Sequence, residues 1–173
     1  MLPPVQRAVD AMRLTSGDAL VISSGMALYG IAQMRLSRMD GVKLVPSVGG
    51  VSEPEAWHQT NEIVRMLSQN TGSTHTPLFA SAIPSKSIYQ ALQKDESFAE
   101  VRRLWRSAKG AIVGIGSPTT GRTSLSSAIP KDSLPDSIGD VCLHFFNRDG
   151  RELTFPGSDR IVRIPTEDLS TIP

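Results

Sequence analysis

The sequence predicts an α/β fold with a mostly parallel sheet and an antiparallel hairpin near the C-terminal end. Two apolar runs, residues 19–23 and 110–116, have the continuous hydrophobic character of strands that are covered on both faces. Segments with apolar residues at helical spacing lie between the predicted strands, which is the pattern of βαβ units. The turn Arg148-Asp149-Gly150 separates two further strand-like segments and predicts the hairpin.

The first half of the chain alternates predicted helices and strands. Ser16-Gly17 closes a first helix as a C-cap. Gly25 allows a sharp turn after the first strand, so the next helix begins without a long loop. Ser52 and Glu55 match a capping box for the helix that follows the second strand. The predicted helices span about 5–12, 26–40 and 52–70, and the predicted strands span 19–23 and 42–46.

The second half continues the alternation and then turns to strands. A third strand is predicted within residues 76–82, followed by helical spacing at 88–92 and again from Phe98 to Ala108. The buried strand 110–116 leads into the polar turn 117–124. The tail is predicted to contain strands at 140–147, 152–155 and 160–164 and a helix beginning at Pro165.

Length and composition indicate a soluble globular protein in which residues 1–173 form a single domain. The net charge of +1 argues against a nucleic-acid or anionic-membrane surface within the chain. One cysteine, Cys142, excludes an internal disulfide and favours a reducing compartment. No apolar run approaches membrane-spanning length, and the N-terminal stretch lacks a signal-peptide core. We therefore expect a cytoplasmic protein without membrane contact.

The turn after the first strand is the leading candidate site. Ser23, Ser24, Gly25 and Met26 could bind an anion through backbone amides and the two hydroxyls. The turn contains neither a P-loop nor a complete dinucleotide fingerprint. A plain βα turn with serine as the helix N-cap is the alternative.

Other polar positions carry similar alternatives. Gly49-Gly50 would allow close approach of a ligand or would only make a turn. Asn61 lies on the apolar side of its helix, where its partner is loop backbone or a ligand. Asp140 could be a general base, a ligand acceptor or an ordinary strand-edge carboxylate. Arg122, in the turn 117–124, could rim a crevice or belong to a mobile loop.

Catalytic and metal chemistry find little support in the sequence. The histidines, His58, His75 and His144, are scattered, and no close cluster of metal-ligand residues is present. No nucleophile elbow occurs, and Lys86 lies between serines in a predicted loop. We expect no metal, no cofactor and no catalytic residues, and therefore binding rather than catalysis.

Ordered segments along nearly the whole chain resemble one family. They are GDALVISSGMALYGIA, VGG, NEIVRMLSQNTG, PLFASAIP, AIVGIG, SIGDVCLHFFNRDGREL and DRIVRIPTEDL. In this order and spacing they resemble the effector-binding (sugar-binding) domain of SorC/DeoR-type bacterial transcriptional regulators. The resemblance implies a Rossmann-like fold with helices on both faces, similar to glucosamine-6-phosphate deaminase and ribose-5-phosphate isomerase.

The resemblance also implies a function and a site. In such regulators a phosphorylated sugar binds at the strand ends as effector, the domains form homo-oligomers, and a preceding helix-turn-helix domain contacts DNA. By position, the turn from Ser23 to Ala27 would hold the phosphate and Asp140 would accept sugar hydroxyls. The implied ligand-binding residues are Ser23, Ser24, Gly25, Met26, Ala27, Gly49, Gly50, Asn61, Ser81, Gly116, Ser117 and Asp140.

The chain departs from the family pattern in two respects. We find no helix-turn-helix in it, and we expect it to be shortened at the C-terminal side, where family members continue. Met26 and Ala27 stand where the family usually has threonine or serine, so one hydroxyl donor to the phosphate is lost. Two alternative functions remain open, a sugar-phosphate isomerase or deaminase on the same scaffold and a vestigial oligomerisation module.

Overall fold

The computed structural model describes residues 4–117 and 136–173, which form a parallel sheet, a small antiparallel sheet and six helices. The helices are α1 (Pro4–Ala11), α2 (Met26–Ala32), α3 (Thr60–Thr71), α4 (Lys86–Leu92), α5 (Glu96–Arg106) and α6 (Thr166–Ser170). The strands are β1 (Ala19–Ile22), β2 (Lys43–Pro46), β3 (Thr74–His75), β4 (Ala108–Ile112), β5 (Ile115–Gly116), β6 (Gly139–Val141) and β7 (His144–Phe146). Two 3-10 turns occupy Ala56–His58 and Ser158–Arg160.

The parallel sheet has the order β3-β2-β1-β4, and its three strand pairings are all parallel. All four residues of β1 are buried, and they alternate between two hydrophobic clusters. Leu20 and Ile22 pack with residues of α2 and α3, whereas Ala19 and Val21 pack with residues of α5 and the C-terminal segment. The predicted α/β class, with a mostly parallel sheet covered on both faces, is confirmed.

A second sheet in the order β5-β6-β7 is antiparallel and supplies the predicted hairpin element. Its position differs from the prediction, because the segment predicted as one strand over 140–147 folds back at Cys142 and Leu143. The predicted turn at Arg148-Asp149-Gly150 does form, and Gly150 has a φ of 74°. Beyond that turn a single bridge joins Phe146 to Glu152, so the strand predicted at 152–155 is reduced to this bridge.

Two predicted helices have different bounds in the structure. Helix α2 ends at Ala32, and Leu36 and Met39 are buried in the following loop. Their apolar character therefore reflects packing in the core and not a longer helix. The predicted capping box at Ser52 and Glu55 is wrong. Residue Gln59 is the N-cap of α3, and its side-chain amide donates to the carbonyls of Val51 and Glu53.

Three predicted strands also change. The run 110–116 divides between β4 and β5, which belong to different sheets. The third parallel strand lies at β3, and the segment 76–82 contributes only a bridge from Ser81 to Gly50. The segment 160–164 is not a strand, because its backbone N–H groups donate hydrogen bonds to two separate segments of the chain. Val162 N–H donates to Ala82 O at 2.8 Å, and Ile164 N–H donates to Ser47 O at 2.7 Å.

Over the ranges 4–117 and 136–173, no helix is long and apolar enough to cross a membrane. The predicted polar turn after residue 117, including Arg122, lies outside the described residues.

Candidate functional site

A cavity of about 540 Å³ opens where β1 and β2 end and the antiparallel sheet begins. The carboxyl ends of parallel strands meet at one edge of a sheet, which is the usual ligand crevice of open α/β folds. Nine of the twelve residues predicted as ligand-binding line it, and they come from four separate segments of the chain. They are Ser23, Ser24, Gly25, Met26, Ala27, Gly49, Gly116, Ser117 and Asp140.

The turn after β1 is held by backbone contacts on two sides. Ser23 Oγ accepts a hydrogen bond from Gly114 N–H at 2.9 Å, and Gly25 N–H donates to Trp57 O at 2.8 Å. Gly25 has a φ of 132°, a conformation that residues with a side chain rarely adopt. The Met26 side chain is 70% exposed. The turn therefore presents a fixed backbone to the cavity, with the amide of Gly25 already engaged.

Gly49 forms the rim of the cavity where the chain leaves β2. Its N–H donates to Val162 O at 2.9 Å. A Cβ atom at this position would lie 2.7 Å from Ala80 O and 2.9 Å from Ala82 N. The close approach that requires glycine here is thus made by the protein's own backbone.

Three predicted site residues lie outside the cavity lining. Asn61 Nδ2 donates to Leu78 O at 3.0 Å, and its Oδ1 accepts from Leu78 N–H at 2.9 Å. Loop backbone is therefore the partner of this amide. Gly50 pairs with the 80–82 segment, and Ser81 Oγ accepts from the N–H of Ile83. All three residues therefore form hydrogen bonds to or within the segment 78–83 of the protein itself.

Another wall of the cavity is the tight turn between β6 and β7. Its two residues, Cys142 and Leu143, both line the cavity and have φ values of 52° and 64°. Residues other than glycine and asparagine seldom adopt this left-handed backbone conformation, so the turn stores conformational strain. Asp140, which is 4% exposed, accepts a hydrogen bond from Leu143 N–H at 3.2 Å and spans the turn.

A charged cluster behind this wall holds the strained turn in place. Arg163 donates to Leu143 O and, at 2.9 Å, to Glu152 Oε1. His144 bridges Glu152 and the Ile164 carbonyl through its two ring nitrogens, at 2.7 and 2.8 Å. Burial raises the pKa of Glu152, but hydrogen bonds from His144 and Thr166 and the charges of His144 and Arg163 outweigh it, so the pKa lies below its usual range.

The thiol of Cys142 is expected to be unreactive despite its place in the cavity wall. Burial raises the pKa of its thiol to about 11, against an ordinary value of 9.0. At a pH near 8 the thiolate fraction is then about a hundredfold smaller than for an exposed cysteine, and thiolate is the reactive form. We expect a disulfide reagent such as DTNB to label the folded protein at least about a hundredfold more slowly than the urea-unfolded protein. Equal labelling rates would contradict the burial of this thiol.

Two prominent lining residues, Trp57 and His58, were not predicted from the sequence as site residues. Both belong to the 3-10 turn Ala56–His58, which the sequence pattern assigned to a helix. An aromatic residue and a histidine that follow Gly49-Gly50 within the same predicted turn-to-helix region were the available signal. The other lining residues that the prediction missed are Leu28, Val48, Val51, Gly114, Ile115, Cys142 and Leu143.

The lining chemistry suits binding of a small polar molecule with an apolar side. It combines hydroxyl and backbone groups with the carboxylate of Asp140, the imidazole of His58 and the indole of Trp57. Within the described ranges, no group of three or more histidine, cysteine, aspartate or glutamate residues converges on a point where a metal could bind.

Comparison with known proteins shows the family of the chain. Residues 8–173 match the family model described as "Putative sugar-binding domain". The deoxyribonucleoside regulator of Bacillus subtilis (strain 168) is 23% identical over 161 residues, which is 88% of this chain and 51% of the relative. The chain thus spans about half the length of that curated relative.

Solved structures with the same fold include two bacterial regulators. A transcriptional regulator from Streptococcus pneumoniae TIGR4 has a TM-score of 0.82 at 22% identity, covering 97% of this chain and 68% of its own. The full-length sorbitol operon regulator SorC from Klebsiella pneumoniae has a TM-score of 0.83 at 21% identity, covering 95% and 56%. With the family model matching from residue 8 to residue 173, the chain belongs to the sugar-binding domain family, and it shares the fold found in SorC and DeoR transcriptional regulators.

Proposed function

We propose that this chain is the ligand-sensing domain of a bacterial transcription regulator and that its effector is a phosphorylated sugar. The observation that carries the proposal is the cavity at the carboxyl end of the parallel sheet, lined by nine of the residues expected to hold such an effector. DNA binding would belong to a helix-turn-helix domain in the same regulator, and effector binding would change how those DNA-binding domains meet the operator. A cytoplasmic location and a homo-oligomeric assembly follow from this role.

In this proposal the two ends of the cavity recognise different parts of the effector. The turn from Ser23 to Ala27 holds the phosphate through the Ser24 hydroxyl and backbone amides other than that of Gly25, since the Ser23 hydroxyl and the Gly25 N–H are bonded within the protein. Helix α2 has only seven residues, so individual N–H groups matter more than a helix dipole. Asp140 accepts hydrogen bonds from sugar hydroxyls, a role that suits a buried carboxylate already anchored by Leu143 N–H. Gly49, Gly116 and Ser117 border the sugar, with Gly50, Asn61 and Ser81 as supports.

A sugar-phosphate isomerase or deaminase is the competing function on this scaffold. Such an enzyme needs a positioned base near a substrate carbon, and Asp140 is the carboxylate in the described lining. Its Oδ2 is engaged by Leu143 N–H, which favours a fixed acceptor over a proton carrier. Turnover of ribose 5-phosphate or glucosamine 6-phosphate that Asp140→Asn abolishes would favour the enzyme instead.

The sensing proposal is tested by calorimetric titration with a panel of small molecules. The panel contains pentose and hexose phosphates, the corresponding free sugars, inorganic phosphate and, because the Bacillus subtilis relative is a deoxyribonucleoside regulator, a deoxyribonucleoside. We expect saturable binding of a sugar phosphate, and stabilisation by about 2.7 kcal/mol at a hundredfold excess over Kd. Asp140→Asn should weaken this binding about tenfold, as expected for a charged hydrogen-bond partner. Absence of heat and of thermal shift with every sugar and sugar phosphate would overturn the proposal.

A further inference from the structure

The 3-10 turn Ala56–His58 brings an indole and an imidazole into the lining of the cavity. We propose that this turn is an effector-recognition element, in which Trp57 packs against the apolar C–H face of the sugar and His58 supplies positive charge to its phosphate. The inference rests on the proposed function and assigns two contacts that the family match does not supply.

The first observation is the physical link between this turn and the turn after β1. Trp57 O accepts the hydrogen bond from Gly25 N–H at 2.8 Å, so the backbone that carries the indole is attached to the backbone that would hold the phosphate. The link fixes the two segments side by side on the cavity. A ligand that contacts Ser24 or Gly25 therefore lies within reach of Trp57 or His58 as well.

The second observation is that the indole is held in place. Tyr29 meets Trp57 edge-on with ring centroids 6.4 Å apart, and the His58 ring lies 6.0 Å from Trp57. Gln59, the next residue, is anchored to the Val51 carbonyl at 3.1 Å. A rigid half-buried aromatic ring offers contact area without a large entropy cost on binding. A sugar has a face of C–H groups that can pack against such an aromatic ring.

The third observation is the charge of the lining. Among its described residues His58 is the side chain that can carry positive charge, and Asp140 is the carboxylate. His58 adjoins Trp57 and hence the Gly25 side of the cavity, whereas Asp140 belongs to the β6–β7 wall. An imidazole N–H donates hydrogen bonds to phosphate oxygens, and a hydrogen bond between charged groups is stronger than one between neutral groups. The cavity thus has a group that can be positive on one segment and a carboxylate on another, and we expect the phosphate near His58.

The histidine contact predicts selectivity for the phosphate group. We expect His58→Gln to weaken binding of the sugar phosphate about tenfold. Binding of the matching free sugar should be unchanged, because only the phosphate interacts with the charge on His58. His75→Gln is the matched control, since His75 lies on β3, bonds to Ser68 and does not line the cavity. The measurement is calorimetric titration with glucose 6-phosphate and ribose 5-phosphate beside glucose and ribose.

The tryptophan contact predicts a fluorescence signal that belongs to one residue. The chain has two tryptophans, and Trp105 is 1% exposed within the core, away from the cavity lining. We expect the sugar phosphate to change the emission of the wild-type protein and to leave that of Trp57→Phe unchanged. Trp57→Ala should weaken binding about tenfold, and Trp57→Phe should recover most of the affinity because an aromatic face remains.

The outcomes separate this inference from the proposed function. Sugar-phosphate binding that is insensitive to Trp57→Ala and His58→Gln, with both variants unfolding at the wild-type temperature, overturns the inference and leaves the sensing function standing. Weaker phosphate binding in His58→Gln together with loss of the fluorescence response in Trp57→Phe supports it. No binding of any sugar or sugar phosphate to the wild-type protein overturns the proposed function and this inference with it.

Discussion

Replacing Arg163 with methionine is expected to destabilise the protein by about 2–3 kcal/mol, because the change removes the charge that anchors the strained cavity wall. The Arg163 side chain is only 11% exposed and donates both to Leu143 O and to Glu152. Its loss leaves the Leu143 carbonyl without that donor while Cys142 and Leu143 remain in the left-handed region. Urea unfolding followed by circular dichroism measures the difference in free energy.

The same variant has a pH signature that a simple packing loss would not produce. The folded-state pKa of Glu152 lies below the ordinary value of 4.5, because the opposing effect of burial is outweighed by hydrogen bonds from His144 and Thr166 and by the charges of His144 and Arg163. These interactions, that with Arg163 among them, contribute stability above that pH. This contribution is lost as the pH falls through the folded-state pKa. The free-energy gap between wild type and Arg163→Met should therefore narrow below a pH of 4.5.

Arg103→Met is the matched control for the arginine substitution. Arg103 also pairs with a glutamate, Glu100, but its side chain is 58% exposed and the pair lies on the surface of α5. Exposed pairs are screened by water and contribute little, so the change should stay within about 0.5 kcal/mol. Equal effects of the two substitutions would show that burial of the Arg163 cluster does not matter.

The parallel core could be predicted from the sequence because its evidence is local. Strand β1 is apolar at four consecutive positions, and α5 repeats apolar residues at helical spacing while Asp95 caps it. Strand β1 is buried between both hydrophobic clusters and α5 is buried against one of them, so propensity and packing agree. The segment that ends at Leu36 and Met39 shows the limit of the method, since residues buried from a loop produce the same periodicity as a helix.

The cavity could be predicted in part, for a physical reason. Residues that follow β1 and β2 share one edge of a parallel sheet, which is why Ser23 and Gly49 both line the cavity. The family resemblance implied both as ligand-binding residues. The other wall depends on a turn formed by Cys142 and Leu143, residue types that give no turn signal. That turn is supported by Arg163, twenty residues further along the chain from Leu143, a contact that no local pattern specifies.

Gly49→Ala is expected to cost about 2–3 kcal/mol in stability and to deform the rim of the cavity. The added Cβ would meet Ala80 O at 2.7 Å and Ala82 N at 2.9 Å, both of them backbone atoms that cannot rotate away. Relief therefore requires the 80–82 segment to move or the hydrogen bond from Gly49 N–H to Val162 O to break. Since Gly49 also lines the cavity, effector binding measured by titration should weaken together with the unfolding temperature.

Gly50→Ala is the control because it changes the adjacent residue in the same way. A Cβ at Gly50 would lie 3.7 Å from Ala80 O, which is ordinary contact, and Gly50 does not line the cavity. Its backbone is compatible with alanine, so stability should be unchanged or slightly higher through a less flexible unfolded chain. If Gly50→Ala proved as damaging as Gly49→Ala, the cause would be general stiffening of the 47–51 loop. A loss confined to Gly49→Ala would instead show that one close backbone crossing sets both the stability of this edge and the shape of the cavity.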